Sequence, residues 1–149
     1  MNILDILLSS DLLNNNDLMN TIIEPKKITT SKFEVTLLEN GIVENYIKAG
    51  IVVEAEDLEE LKKISSDLAG HKPYMILVTS GELASFSKEA RELSASKAFI
   101  TNAEAKAIVV DSIAKKIIGN FYLKVNKPYL QTRLFSDREK ALEWLKGLI

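Results

Sequence analysis

The sequence has no cysteine and a single histidine, His71, among its 149 residues. Without cysteine the chain can form no disulfide bond, thiolate metal site or cysteine nucleophile, and such a chain suits a reducing cytoplasm. A zinc site at His71 would need carboxylates alone as its other ligands, which is uncommon. His71 lies in the segment GHKP after a predicted helix, where a surface turn residue is a plainer interpretation than a general base. We therefore expect no catalytic residue, no cofactor and no metal.

Long apolar runs and a strong charge of one sign are also lacking. No stretch of 18 consecutive apolar residues occurs, so the sequence predicts no membrane-spanning helix. The formal net charge is −2, which does not favour a nucleic-acid partner. The first residues, MNILDILLSSDLLNNND, contain no basic residue and carry Asp5 and Asp11, which a signal peptide tolerates poorly. We therefore predict a soluble, cytoplasmic protein that does not bind nucleic acid.

The composition is that of an ordinary globular chain with one distinct end. Apolar residues make up 46% and charged residues 27%, and the length favours one main domain. Residues 1–28 stand apart, because a short helical stripe formed by Ile3, Leu4, Leu7 and Leu8 is followed by three asparagines. We predict an N-terminal appendage over 1–28 and a domain over 29–149. The appendage either packs on its own domain or forms a dimer contact or swapped arm.

An antiparallel hairpin is the clearest local prediction. Asn40-Gly41 favours a tight turn in which both central residues have positive φ, and alternating apolar residues flank it. Helical and strand patterns then alternate. The predicted segments are EDLEELKKISSDLAG (helix), YMILVTS (strand), SKEARELSASKAFI (helix), AIVVDS (strand), SIAKKIIGNFYLKVN (helix) and LQTRLF (strand), with a last helix opened by a capping box of Ser136 and Glu139. Thr101 and Glu104 either form a further capping box or belong to a loop.

The order β-β-α-β-α-β-α-β-α predicts the α/β class, with a single mixed, mostly parallel sheet flanked by helices. In the penultimate helix one apolar stripe is expected to face the core. It consists of Ile113, Ala114, Ile117, Ile118, Phe121, Tyr122 and Val125.

The last third of the chain resembles a known fold group. VVDS, the helix with IGNFYLKVNKP, and TRLFSDREKALEWL are together similar to the SpoIIAA-like group, which includes the STAS domains of anti-sigma-factor antagonists and uncharacterised bacterial STAS-like proteins. The resemblance covers about Thr30 to Leu148 and implies a regulatory, protein-binding module. Signalling STAS domains carry a phosphorylatable residue in a DS-S/T-G turn, whereas this chain has TSGELASFSKE there. The resemblance therefore does not carry the phosphorylation switch over to this chain.

Two groups of residues are candidate sites. Ligands of open parallel sheets bind beyond the carboxyl ends of the strands, and the polar residues expected there are Ser80, Gly81, Asp111 and Ser112. The alternative is that Ser112 merely caps its helix. The second group is a predicted docking face opposite the core stripe, made of Lys115, Lys116, Asn120, Leu123, Lys124 and Lys127. Residues 112–136 contain five basic residues and no acidic one, and a solvated face is the plainer explanation. The alternative is a docking surface for an acidic protein partner or an anionic membrane.

Two functions follow from these observations. The first is a non-enzymatic module that binds a protein partner, supported by the resemblance and by the scarcity of catalytic groups. The second is a small-ligand or lipid-binding domain, with an apolar pocket between the sheet and the helix over 113–125.

Overall fold

A six-stranded sheet forms the centre of the computed structural model, which describes residues 26–100 and 102–149. Its strands lie in the order β1-β2-β3-β5-β7-β8, and the short β4 and β6 pair with each other beside it. The strands are β1 (Lys26–Thr29), β2 (Phe33–Leu37), β3 (Ile42–Ile47), β4 (Val52–Val53), β5 (Tyr74–Ser80), β6 (Ser85–Phe86), β7 (Ala103–Val109) and β8 (Gln131–Phe135). The helices are α1 (Ala55–Leu68), α2 (Lys88–Ala95), α3 (Ile113–Phe121), continued by a π-helical turn (Tyr122–Asn126), and α4 (Arg138–Gly147).

The predicted fold class is confirmed. β1, β2 and β3 pair antiparallel, whereas β3, β5, β7 and β8 pair parallel, which makes the sheet mixed and mostly parallel. At the predicted hairpin turn, Asn40 has a φ of 63° and Gly41 a φ of 72°. The amide of Ile42 donates to the carbonyl of Glu39, which closes the turn between β2 and β3.

The sheet begins earlier in the chain than the sequence indicates. Lys26–Thr29 form the edge strand β1, with Lys26 opposite Leu37, so three residues of the predicted appendage belong to the sheet. Residues 1–25, and with them the rest of that appendage, lie outside the described residues. Thr101 does too, and Glu104 lies within strand β7.

Side-chain alternation along the strands separates two cores. Ile76 and Val78 of β5 pack with α1 and α2 on one face, in a cluster around Phe33, Val35 and Leu58. Met75 and Leu77 point to the opposite face, where they pack with Ala141 and Leu145 of α4. This arrangement follows from the period of two in a strand, because a central strand that is buried on both faces must be apolar at successive positions.

An ion pair fixes the start of α4 against the sheet. The Arg138 guanidinium donates two hydrogen bonds to the Glu44 carboxylate of β3, with Nη2–Oε1 at 2.7 Å and Nε–Oε2 at 3.1 Å. The Thr79 hydroxyl of β5 donates to the same carboxylate over 2.8 Å. Burial alone would raise the pKa of Glu44, but the bonds from Arg138 and Thr79 outweigh it and hold the pKa below its ordinary value of 4.5.

The predicted capping box of α4 is wrong by one residue. Asp137, not Ser136, is the N-cap, and its carboxylate accepts a hydrogen bond from the Lys140 amide at 2.8 Å. Serine and aspartate both cap helices well, so the sequence Ser136-Asp137 does not determine by itself which of the two residues is the N-cap. The next residue, Arg138, is the first of the helix and forms the ion pair with Glu44.

Replacing Arg138 with methionine should lower the free energy of unfolding by about 1–3 kcal/mol at pH 7, because a largely buried carboxylate loses a charged partner. Since the pKa of Glu44 is lowered in the folded state, this stabilisation is complete above the unfolded pKa near 4.5 and is lost as the pH falls through the lower folded value. Urea unfolding between pH 3 and pH 7 measures both effects.

The matched control is Lys146→Met on the same helix, which should change stability by less than about 0.5 kcal/mol at every pH. The ion pair would be contradicted if both variants lost the same free energy of unfolding. It would also be contradicted if the difference between the two variants were as large at pH 3 as at pH 7.

Candidate functional site

Helix α3 presents to solvent the side that the sequence assigns to the core. Ile113 is 79% exposed, Ile117 is 64% exposed and Val125 is 59% exposed. Of the predicted core stripe only Tyr122 is buried. The expectation that the stripe packs inward is therefore wrong.

The reason is a close approach of α3 to the sheet through glycine. Gly119 is buried, and a Cβ placed on it would lie 3.0 Å from Leu134 Cδ1 and 3.2 Å from Val110 Cγ1. A helix side with no side chain at its centre can approach a sheet more closely than a side of isoleucines can. The close contact at Gly119 thus fixes the rotation of α3 and leaves its largest apolar side chains outside.

The rotation also divides the predicted docking face. Lys116, Asn120, Lys124 and Lys127 are exposed as expected. Leu123 is half-buried, and the side chain of Lys115 is only 17% exposed.

Lys115 joins the predicted strand-end residues instead. Its Nζ lies 2.8 Å from the Asp111 carboxylate and donates to the Ser80 carbonyl at 3.1 Å. Ser112 caps α3 by accepting from the Lys115 amide at 3.2 Å, as the alternative interpretation holds. Gly81 lies against Ala49, where a Cβ would come within 2.8 Å of backbone nitrogen. The structure therefore brings the four strand-end residues to one edge and places a lysine ammonium between the ends of β5 and β7.

A cavity of about 1010 Å³ lies between the sheet, α1, α2 and α3, at the place where the sequence puts an apolar pocket. Its volume is at the upper end of the ~300–1,000 Å³ typical of small-molecule sites. The apolar side chains that line it come from the sheet, α1 and α3, and include Leu58, Leu61, Ile76, Val78, Ile108 and Ile118, whereas α2 contributes the polar Arg91 and Ser94.

Three cations of this cavity have no carboxylate partner within 4.0 Å in the part of the chain that the structure describes: Lys62 of α1, Arg91 of α2 and Lys106 of β7. Lys62 Nζ lies over the ring of Phe99, 4.6 Å from its centre. Arg91 donates to the Phe86 carbonyl at 2.7 Å, and its Nε is buried without a hydrogen-bond partner among those residues. Lys106 Nζ lies 3.4 Å from the Tyr122 hydroxyl, which is 2.7 Å from the Ser94 hydroxyl. These groups contribute polar atoms to the cavity beside its apolar side chains.

Sequence reasoning missed these polar groups because they are far apart in the chain. Arg91 lies in a short helix of mixed composition, and Tyr122 belongs to the stripe that was expected to be core. The available signal was Lys106, a charged residue at an inward position of the strand AEAKAIV. Lysine at such a position of a parallel strand is uncommon unless it has a partner.

Other groups lie away from the cavity. His71 is in an exposed turn, with Nδ1 3.3 Å from the Ser66 hydroxyl and Nε2 3.4 Å from the Asp67 carboxylate. Within residues 26–100 and 102–149, no group of three or more histidine, aspartate or glutamate residues is placed to hold a metal ion. No helix of that part is both long and apolar enough to cross a bilayer.

Comparisons with known proteins give a family and a similar fold. A family model described as a domain of unknown function (DUF7793) matches residues 36–149. No curated protein matches the sequence. A solved structure from Shewanella loihica PV-4, described as an uncharacterized protein from the DUF3478 family with a SpoIIAA-like fold, is similar over 81% of this chain and 91% of its own. The two are 15% identical, with a TM-score of 0.45.

Replacing Gly119 with valine should cost about 1–3 kcal/mol of folding free energy, because the new methyl groups would push α3 away from Leu134 and Val110. Asn120→Val, one position along and exposed, carries a similar penalty for a β-branched residue in a helix and serves as the matched control. Thermal unfolding of both variants measures the difference. Equal melting temperatures would contradict the close contact.

Proposed function

The chain belongs to the DUF7793 family of domains of unknown function, and we propose that it is a binding module for an amphiphile with an apolar chain and an anionic head group. The observation that carries the proposal is the cavity of about 1010 Å³ with Arg91 and Lys106 in its lining. The lining also contains two carboxylates, Glu82 and Asp111, but Asp111 is paired with Lys115. Lining cations without a carboxylate partner therefore outnumber lining carboxylates without a cation among the described residues, which supports an anionic head group.

The apolar part of the lining supports a hydrocarbon chain as the main body of the ligand. Ile76, Val78 and Ile108 form the floor on the sheet, and Leu58 and Leu61 of α1 form one wall. Burying a hydrocarbon against such side chains is worth roughly 25 cal/mol per Å² of surface removed from water. Contacts with these apolar side chains would therefore supply most of the binding free energy, but they would not fix the orientation of the ligand, because apolar burial is not directional.

The cations support a carboxylate or phosphate as the head group. A buried guanidinium nitrogen without a partner costs free energy, since it has lost its water and gained no hydrogen bond. An oxyanion between Arg91 and Lys106 would satisfy that nitrogen and accept charge-assisted hydrogen bonds. The neighbouring hydroxyls of Tyr122 and Ser94 add further donors to the same place.

The protein-binding role, which the sequence favours through the resemblance and the scarcity of catalytic groups, remains a proposal, and the exposed Lys116, Lys124 and Lys127 would belong to its docking face. Those lysines point away from the cavity, so the two roles use different sides of α3. A cytoplasmic location, which the lack of cysteine favours, belongs to the same proposal. The cavity is the more specific feature because it combines volume, apolar lining and unpaired cations.

Titration with cis-parinaric acid, a fluorescent fatty acid, and with its uncharged methyl ester tests the proposal. Wild-type protein should bind both probes and prefer the acid. Lys106→Met or Arg91→Met should weaken binding of the acid by roughly tenfold, the equivalent of one charge-assisted hydrogen bond. Binding of the ester should change little, because the ester makes no ion pair.

Two further variants complete the design. Lys140→Met, on the opposite face of the sheet, should leave both affinities unchanged. Ile108→Trp should fill the cavity and weaken both probes alike while thermal unfolding stays cooperative. Absence of probe binding by the wild type, or equal losses for acid and ester in the Lys106 and Arg91 variants, would contradict the proposal.

A further inference from the structure

Helix α3 and its π-helical turn carry an apolar ridge outside the cavity. Ile113, Ile117, Phe121 and Val125 recur every four residues, and we call these four residues the outer ridge. Phe121 is 44% exposed and the other three are more exposed still. None of the four lines the cavity. A contiguous exposed stripe of this kind is unusual on a monomer and indicates a surface that is covered by something else.

Basic side chains accompany the outer ridge: Lys116 and Lys124 lie within α3 and its π-helical turn, and Lys127 directly follows that turn. Lys116, Lys124 and Lys127 are exposed, and in the described part of the chain none of them has a carboxylate within 4.0 Å. A complementary cover would be apolar along one stripe and acidic beside it.

A second copy of the same helix fits this surface poorly. Two outer ridges packed together would bring Lys116, Lys124 and Lys127 of both copies close to one another, and like charges across an interface are unfavourable. A cover with acidic side chains is therefore favoured over a second copy of this helix.

Residues 1–25 have the required composition. They contain ten isoleucine or leucine residues, four acidic residues and no basic residue. The acidic residues are Asp5, Asp11, Asp17 and Glu24, and the spacing of Ile3, Leu4, Leu7 and Leu8 around the first of them is the one from which the sequence predicts a helical stripe.

The path from the sheet is short enough. Lys26 lies opposite Leu37, at the end of the sheet where the parallel strands begin. Helix α3 connects two parallel strands, so it runs back toward that same end. β1 and β7 are four strands apart, roughly 19 Å at ~4.8 Å per strand. About six extended residues cross that distance, and about thirteen helical residues match the length of the outer ridge. Both fit within the 25 residues that precede Lys26.

We propose that residues 3–23 dock on the outer ridge of the same chain. Their isoleucine and leucine side chains cover Ile113, Ile117, Phe121 and Val125, and their carboxylates pair with Lys116, Lys124 and Lys127. The proposal does not depend on the ligand-binding function, because the outer ridge lies outside the cavity.

Zero-length carbodiimide coupling of the full chain tests which surfaces meet, since it joins a carboxylate to a lysine only when the two are in contact. The expected products join Asp5, Asp11 or Asp17 to Lys116, Lys124 or Lys127. Lys140 and Lys146 of α4, on the opposite face of the sheet, are internal controls and should not react with those aspartates. A 1:1 mixture of ¹⁴N- and ¹⁵N-labelled chains should give cross-linked peptides of unmixed isotope content.

Mixed-isotope products would overturn the proposal in favour of an arm exchanged with a second copy. Products confined to other lysines would overturn it as well, because the segment would then contact a different surface.

Hydrogen exchange of the full chain gives a second readout that needs no cross-link. Leu4→Ser, Leu7→Ser and Leu8→Ser together remove apolar side chains from residues 1–25 and leave the described domain unchanged. The backbone amides of residues 117–126 should then exchange about tenfold faster, because a covered helix opens less readily than an exposed one. The matched control replaces Asn14, Asn15 and Asn16 with serine and should leave the exchange unchanged. Equal exchange in wild type and both variants would contradict docking on α3.

Discussion

The close contact between Gly119 and the side chains of Leu134 and Val110 determines how the rest of this surface is arranged. Because the helix touches the sheet at a residue without a side chain, α3 lies close to β8 and turns its isoleucines outward. Its inner edge, at Ile118 and Tyr122, then becomes a wall of the cavity. One small residue thus decides which apolar side chains line a pocket and which form an exposed ridge.

The charged side chains of this part of the fold also fall into two groups, those in ion pairs and those without a carboxylate partner. Lys115, turned inward by the rotation of α3, is held by Asp111 and by the Ser80 carbonyl, and so serves the structure. Glu44 and Arg138 do the same on the other face of the sheet. Arg91 and Lys106 have no such carboxylate partner in the described part of the chain, although they are among apolar side chains. Ion pairs such as Lys115–Asp111 and Arg138–Glu44 hold elements of the fold together. Cations in a cavity without a carboxylate partner instead favour an anionic ligand.

Local patterns predicted the order of the elements because each depends on nearby residues. Asn40-Gly41 sets its turn through backbone preference alone, and YMILVTS is apolar at successive positions because both its faces are buried. The orientation of α3 could not be predicted in this way, since periodicity identifies an apolar stripe but not what the stripe faces. Strand β1 was missed because Lys26–Thr29 are exposed and show no alternation. The cavity was expected between the sheet and α3, but its cations come from α2 and β7, which only the fold brings together.

The cavity and the outer ridge are close enough to affect each other. Arg91 lines the cavity, yet its guanidinium lies over the ring of Phe121, which belongs to the outer ridge, at 5.6 Å from the ring centre. A chain segment packed on Phe121 would fix that ring and, through the cation–π contact, the guanidinium behind it. A head group bound to Arg91 in the cavity would fix the guanidinium, and with it the contact to the Phe121 ring. If the bound head group changes the affinity of the outer ridge for its cover by some factor, the cover changes the affinity of the cavity for the head group by the same factor. The coupling depends on one contact, between the Arg91 guanidinium and the Phe121 ring. It is favourable when the position of Arg91 that binds the head group is also the position it takes with the ridge covered, and unfavourable when the two positions differ.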